Sequence, residues 1–347
     1  MRLALRALLV GVVLLTPAER VCSQAHPSLV AVTTLEPAFP SWHARDLPGL
    51  SPEPTLGPPL ATPPRPAGTR VAARHDGSNP VALPHLRWST DAVVGGVSLA
   101  AFAISRGMSI TRQAVPPQGL DPADINLGID RNIIGHPSTG ADKASDVTLV
   151  ATMVGAPVLA LVTQPGVHGT DALRRPLVLY GESMLLAEAA SQLLKRSSDR
   201  PRPFTYLPAS ERPTGSAYDV NSDGAFVSMP SGHATISFTA ASFAATDNLL
   251  SHPDAGWKEH VAVASLGAML AGATGELRIK ANQHFPTDIL VGGLIGTASG
   301  ASIPLLHRYV FPGGGEAPRP SGHQWLETAA GYLLGAGVGV GLASLAY

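Results

Sequence analysis

From Trp88 onward the chain is built of long apolar stretches, at roughly 92–105, 147–163, 177–194, 232–250, 261–275, 286–306 and 328–346. Runs of this length are too long for strands. They predict an all-α fold, a helical bundle of six or seven core helices. Small residues recur along them, as in Gly292-Gly293-Leu294-Ile295-Gly296 and Gly335-Ala336-Gly337-Val338-Gly339. Such runs let helix backbones approach closely. No internal repeat accompanies them.

Composition sets limits on the setting. Apolar residues make up 45% of the chain and charged residues 14%, which suits tightly packed helices in a dense core or in a bilayer. The formal net charge is -1, so no global basic field points to a nucleic-acid partner, and any anion binding must be local.

The chain divides into three zones. Residues 1–25 read as a signal peptide: Arg2 and Arg6 precede a short apolar run from Ala7 to Leu15, and Ser23-Gln24-Ala25 offers a cleavage point. Cys22, the single cysteine, would leave with that segment, so the mature protein would carry no disulfide. Residues 26–85 hold 13 prolines and no helical or strand period, and are expected to be a disordered Pro-rich linker. Residues 86–347 form the helical domain.

Three fragments carry the chemistry. Lys195 ends the third apolar stretch, and Arg202-Pro203 follows on a proline-stiffened exit. A Lys point charge and an Arg fork can meet around one anion, although alone the pair is a solvated basic helix end. Pro230-Ser231-Gly232-His233 precedes the fourth stretch. Ser231 would cap a helix whose free N–H groups and dipole make an anion seat, Gly232 would let the backbone approach, and His233 would stand beside it. A plain capped helix with a surface histidine reads the same way. Arg278 closes the fifth stretch, and His284 and Asp288 lie four residues apart at the next helix start. A carboxylate there can hold one ring nitrogen and leave the other for attack on phosphorus. It could equally be a His–Asp pair without chemistry.

Together these fragments resemble the signature of the type 2 phosphatidic acid phosphatase superfamily, which is similar to bacterial class A acid phosphatases and vanadium haloperoxidases. The pattern is Lys, six residues, Arg-Pro; then Pro-Ser-Gly-His; then Ser-Arg, five residues, His, three residues, Asp. This chain departs from it at Leu277, where the family usually has Ser. The resemblance covers about residues 88–306. It implies a phosphatase acting on phosphate monoesters through a phosphohistidine. His284 would be the nucleophile, Asp288 its orienting group and His233 the acid that protonates the leaving alcohol. Lys195, Arg202, Arg278, Ser231 and the Gly232 amide would bind the phosphoryl oxygens. No metal and no cofactor would be required, although vanadate could occupy the cage as a phosphate analogue. Partners would be a phosphorylated lipid or small phosphoester.

Asp219-Val220-Asn221-Ser222-Asp223-Gly224 imitates the start of a calcium loop, but Pro230 stands where such a loop places its bidentate Glu, so a polar turn is expected. His136, His168 and His260 show no ligand spacing.

The expected location is extracytoplasmic, either membrane-associated with a periplasmic site or soluble in the periplasm. Trp88, Trp257 and Trp325 each begin an odd-numbered stretch and should share one end of the bundle. Glu182, Glu188 and Gln192 within the third stretch weigh against lipid exposure, while the polar-poor run 328–346 weighs for it. A cleaved signal followed by three spanning stretches would put the site in the cytoplasm, so those readings compete. Two other functions fit the same residues: a vanadium-dependent haloperoxidase, and a non-catalytic anion-binding membrane protein. The sequence leaves the oligomeric state open.

Overall fold

The computed structural model describes residues 86, 88–163, 170–310 and 319–347. The signal-peptide reading and all of the Pro-rich linker fall outside the described residues. Within them the fold is all-α, as the apolar stretches predict. Seven long helices follow one another: α1 (Trp88–Gly107), α2 (Thr139–Val162), α3 (Thr170–Ser198), α4 (Gly232–Ser251), α5 (Trp257–Lys280), α6 (Pro286–Leu305) and α7 (Gly322–Ala346). A π-helical turn, Leu306–Val310, continues α6.

Local chemistry sets the helix starts. Ser138 caps α2, its Oγ accepting from Ala141 N at 3.1 Å. Ser321 and Gln324 form a reciprocal capping box on α7. Pro286 opens α6, where a missing N–H costs nothing, and Asp288 Oδ2 accepts from Phe285 N at 2.8 Å.

The helices run up and down. Ser138 N donates to Lys280 O at 3.0 Å and Ser231 N to Asp288 O at 3.0 Å. Arg196 reaches Met108 O at 3.1 Å. One end of the bundle therefore gathers the C-termini of α1, α3 and α5 with the N-termini of α2, α4 and α6. Trp88, Trp257 and Trp325 start α1, α5 and α7, so they share the other end, as their spacing predicts.

Helix α4 is the axis. Sixteen of its 20 residues are buried, most of them Ala, Ser or Thr. The seams around it are glycine-built. Gly292, Gly296 and Gly300, one turn apart on α6, lie against the α4 backbone; a Cβ on Gly292 would stand 2.6 Å from Ser231 O. Gly331, Gly335 and Gly339 repeat the pattern on α7 against α5, where a Cβ on Gly331 would meet Val261 O at 2.9 Å. Such contact brings backbones together where side chains would hold them apart.

The outside is the inverse of the inside. Val93, Val97 and Ile104 on α1, Val147, Val154 and Val158 on α2, and Leu333, Leu334 and Leu345 on α7 all point outward. Four helices are long and apolar enough to cross a membrane: Trp88–Gly107, Thr139–Val162, Pro286–Val310 and Gly322–Ala346. The polar residues of the third stretch do not contradict this. Glu182 is buried, and Gln192 donates to Glu188 Oε1 at 2.7 Å, one turn away.

Candidate active site

The three sequence fragments converge at the end of the bundle where α3 and α5 finish and α4 and α6 begin. Lys195 sits in the last turn of α3 and points its ammonium at the first residue of α4: a Cβ on Gly232 would lie 2.7 Å from Lys195 Nζ. The absence of a side chain at 232 is what lets the amine reach the helix N-terminus. Ser231 caps α4, its Oγ accepting from Ala234 N at 3.4 Å, and is fully buried. First-turn N–H groups, Gly232 among them, have no partner inside the helix and face the same space.

Arg202 leaves α3 on an extended segment and is held on several sides. Its Nε donates to Gly224 O at 2.6 Å and its Nη1 to Gln283 O at 2.9 Å. The polar turn at 219–224 thus supplies a carbonyl to the guanidinium, and its Asp223 pairs with Arg112 at 2.6 Å. Burial, then Arg278, lower the Arg202 pKa to about 10, so the side chain remains a cation at neutral pH. Arg278 ends α5, with Nη1 bonded to Asp142 at 2.5 Å and to Ser145 Oγ at 3.3 Å. Its Nε is buried with no hydrogen-bond partner among the described residues, a donor that an incoming anion could take.

His284 lies at the focus, 1% exposed. Its Nδ1 is 2.8 Å from Ser228 O, and its Nε2 is 3.1 Å from Arg202 Nη1. A carbonyl can only accept and a guanidinium can only donate, so these partners assign the proton to Nδ1 and the lone pair to Nε2. Burial, then Arg202, Arg278, Lys195 and His233, hold the His284 pKa well below the ordinary histidine value. The ring is neutral, with its basic nitrogen facing the cations.

The expectation that Asp288 holds the ring directly needs refinement. Asp288 Oδ2 is 3.7 Å from His284 Nδ1, beyond hydrogen-bond range. It accepts instead from Ser228 Oγ at 2.5 Å and from Phe285 N at 2.8 Å. Asp288 therefore fixes the residue whose carbonyl holds the imidazole. The pairing is indirect because Asp288 is already engaged in closing the first turn of α6.

His233, in the first turn of α4, places Nε2 2.8 Å from Asp146 Oδ1. Leu277 faces away from the cations: it is 4% exposed and packs in an apolar cluster with Ala141, Ala281 and Ala343. Its neighbours on α2 and α7 explain an aliphatic residue at this position.

Several contributors escape the sequence reading. Arg200, between the two matched cations, bonds Asp130 at 2.7 Å and Asp288 at 2.6 Å, and its guanidinium carbon lies 4.3 Å from the centre of the Phe285 ring. Asp130 also accepts from Thr287 N at 3.1 Å. Helix α2 contributes Asp142, Ser145 and Asp146 from one face. Their i, i+3, i+4 spacing at a capped helix start was the available signal.

The assembled group suits an anion: three cationic side chains and a helix N-terminus surround an unprotonated imidazole nitrogen, with a second histidine beside a carboxylate. Residues 176–312, which contain all the matched motif positions, match the PAP2 superfamily. No curated protein and no solved structure matches the chain.

Proposed function

We propose that this chain, which belongs through residues 176–312 to the PAP2 superfamily, is a membrane phosphatase that hydrolyses phosphate monoesters of lipids by way of a phosphohistidine. Family membership supports phosphoester chemistry broadly. The finer reading is carried by one observation: His284 Nε2, assigned its lone pair by the Ser228 carbonyl on the far ring nitrogen, faces a cluster of cations. Anion binding alone needs no such nucleophile.

In this reading the phosphoryl group sits among Lys195, Arg202, Arg278, the Ser231 hydroxyl and the Gly232 amide. Their charge and N–H groups stabilise the negative charge on its equatorial oxygens without a metal ion. Nε2 attacks phosphorus, the ester P–O bond breaks, and His233 gives its proton to the departing oxygen. Water then attacks the phosphohistidine while His233 takes a proton back, releasing phosphate and restoring the ring. Burial, then Arg278, lower the His233 pKa to about 4; Asp146 positions the ring and opposes that shift, and the negative charge of a bound phosphate would raise it further toward the acid form.

Placement supports a lipid substrate. The site lies at the end of a bundle whose outer faces are aliphatic and four of whose helices can cross a membrane. A headgroup phosphate at the membrane surface would meet it there, on the extracytoplasmic side in our reading. The test is a phosphate-release screen of the detergent-solubilised protein on phosphatidate, an isoprenyl diphosphate and p-nitrophenyl phosphate. Wild type should favour the lipids, and His284→Ala should release none. Near-normal hydrolysis by that variant would refute the nucleophile; equal kcat/KM on the soluble ester would refute the lipid assignment alone.

A further inference from the structure

The end of the bundle opposite the phosphate site holds a second group of ionisable residues that phosphoryl transfer does not use. Asp91 in the first turn of α1, Glu182 in the middle of α3 and His307 in the π-helical turn after α6 point at one another. One ligand atom from each lies within 4.8 Å of the other two. His307 Nε2 is 3.0 Å from Glu182 Oε2 and 3.7 Å from Asp91 Oδ1. His307 and Glu182 are 1% and 5% exposed. Glu182 stands 13 residues before Lys195 on α3, about 20 Å along the helix axis, so the two groups are separate.

Two facts argue against a simple hydrogen-bonded triad. Both carboxylates address the same imidazole nitrogen, and one N–H proton can lie along only one of the two N···O lines. Glu182 Oε1 is buried with no hydrogen-bond partner among the described residues. The buried Glu182 carboxylate also brings negative charge into the interior, which suits a cation beside it.

We propose that Asp91, Glu182 and His307 form a binding site for one divalent transition-metal ion, with zinc the best fit. Zinc bonds nitrogen and carboxylate oxygen at about 2.0–2.2 Å, which sets the edges of its tetrahedron at about 3.3–3.6 Å. The two separations, 3.0 and 3.7 Å, straddle that edge. One imidazole with two carboxylates is a borderline donor set, matched to zinc rather than to calcium or magnesium, which take oxygen donors. A dication balances the two carboxylates and ties α1, α3 and the end of α6 together. The π-turn, a rare wide turn common at functional sites, brings His307 inside the bundle. The fourth position is left for water.

The test uses the full-length, tag-free protein in detergent, stripped with EDTA and then freed of chelator. Titration with Co2+ should show one ion per chain with the visible absorption of a tetrahedral cobalt centre. One equivalent of Zn2+ should abolish that absorption and raise the melting temperature. His307→Gln should lose the stoichiometric binding and the spectrum. Glu182→Gln, equal in volume and lacking the charge, should weaken binding at least tenfold while circular dichroism shows the helices intact; it decides the matter should the histidine variant not fold. Failure of the wild type to bind either ion at micromolar concentration, or binding unchanged in both variants, overturns the site. The readout is metal content and a spectrum, independent of any activity.

Discussion

At the scale of single residues, the proposed chemistry depends on small differences in partner that decide protonation and reach. His284 is kept neutral by burial and by the cations around it. With its pKa well below 6.5, Nε2 stays unprotonated into mildly acid solution, and protonation removes the nucleophile only as pH falls through the lowered value. The acid limb of kcat/KM, which reports the free enzyme, should therefore lie well below pH 6.5; a limb at or above that value would mean an ordinary histidine. Gly232 offers a second handle. A methyl there would lie 2.7 Å from Lys195 Nζ, the far end of a flexible side chain, so Gly232→Ala should fold normally but displace the amine. Losing one donor to the transition-state oxygens costs about 10²-fold in kcat. Full activity in the alanine variant would show that Lys195 does not need the helix N-terminus.

At the scale of elements, stability rests on seams rather than on bulky core side chains. Gly296 is the clearest case: its added Cβ would approach Thr239 N at 2.9 Å and Phe238 Cβ at 3.0 Å. Gly296→Leu should destabilise the α4–α6 pair by at least about 1–3 kcal/mol, the usual cost of overpacking, and lower the melting temperature in detergent. The exposed Gly337, with open space around it, is the control that should tolerate the same change. These seams were partly legible, since glycine runs on α6 and α7 stand out in the sequence. The start of α2 was not. Asp142, Lys143 and Asp146 interrupt its hydrophobicity, so the apolar run begins at 147 while the helix begins at Thr139. Asp142 there bonds Arg278 and Asp146 bonds His233, while Lys143 and much of Asp146 stay exposed. The same limit applies to the site. The motif spacings named Lys195, Arg202, His233, Arg278, His284 and Asp288. Asp146 and Arg200 are joined to them by contacts 87 and 88 residues apart in the chain; local spacing can mark a helix face but not the partner it meets.

At the scale of the whole molecule, the seven long helices among the described residues alternate and put the start of α1 and the candidate site at opposite ends. In a bundle that spans a bilayer, the loops at those ends lie on opposite sides. In a Cys22→Ser background, single reporters Asp254→Cys and Ser216→Cys, both at exposed positions, should differ in labelling of intact cells by a membrane-impermeant maleimide. Equal labelling of the two would count against a spanning bundle. The arrangement of surface and interior has a further consequence for how such a chain can drift. In a water-soluble protein the exterior varies freely while the greasy centre is guarded. Here one aliphatic residue can replace another on the outer faces of α1, α2 and α7 with little effect, whereas a single extra methyl at Gly292 or Gly331 has nowhere to go. Tolerance still lies outside and constraint inside, but the exchangeable class is aliphatic, and the positions least free to change carry the smallest side chains.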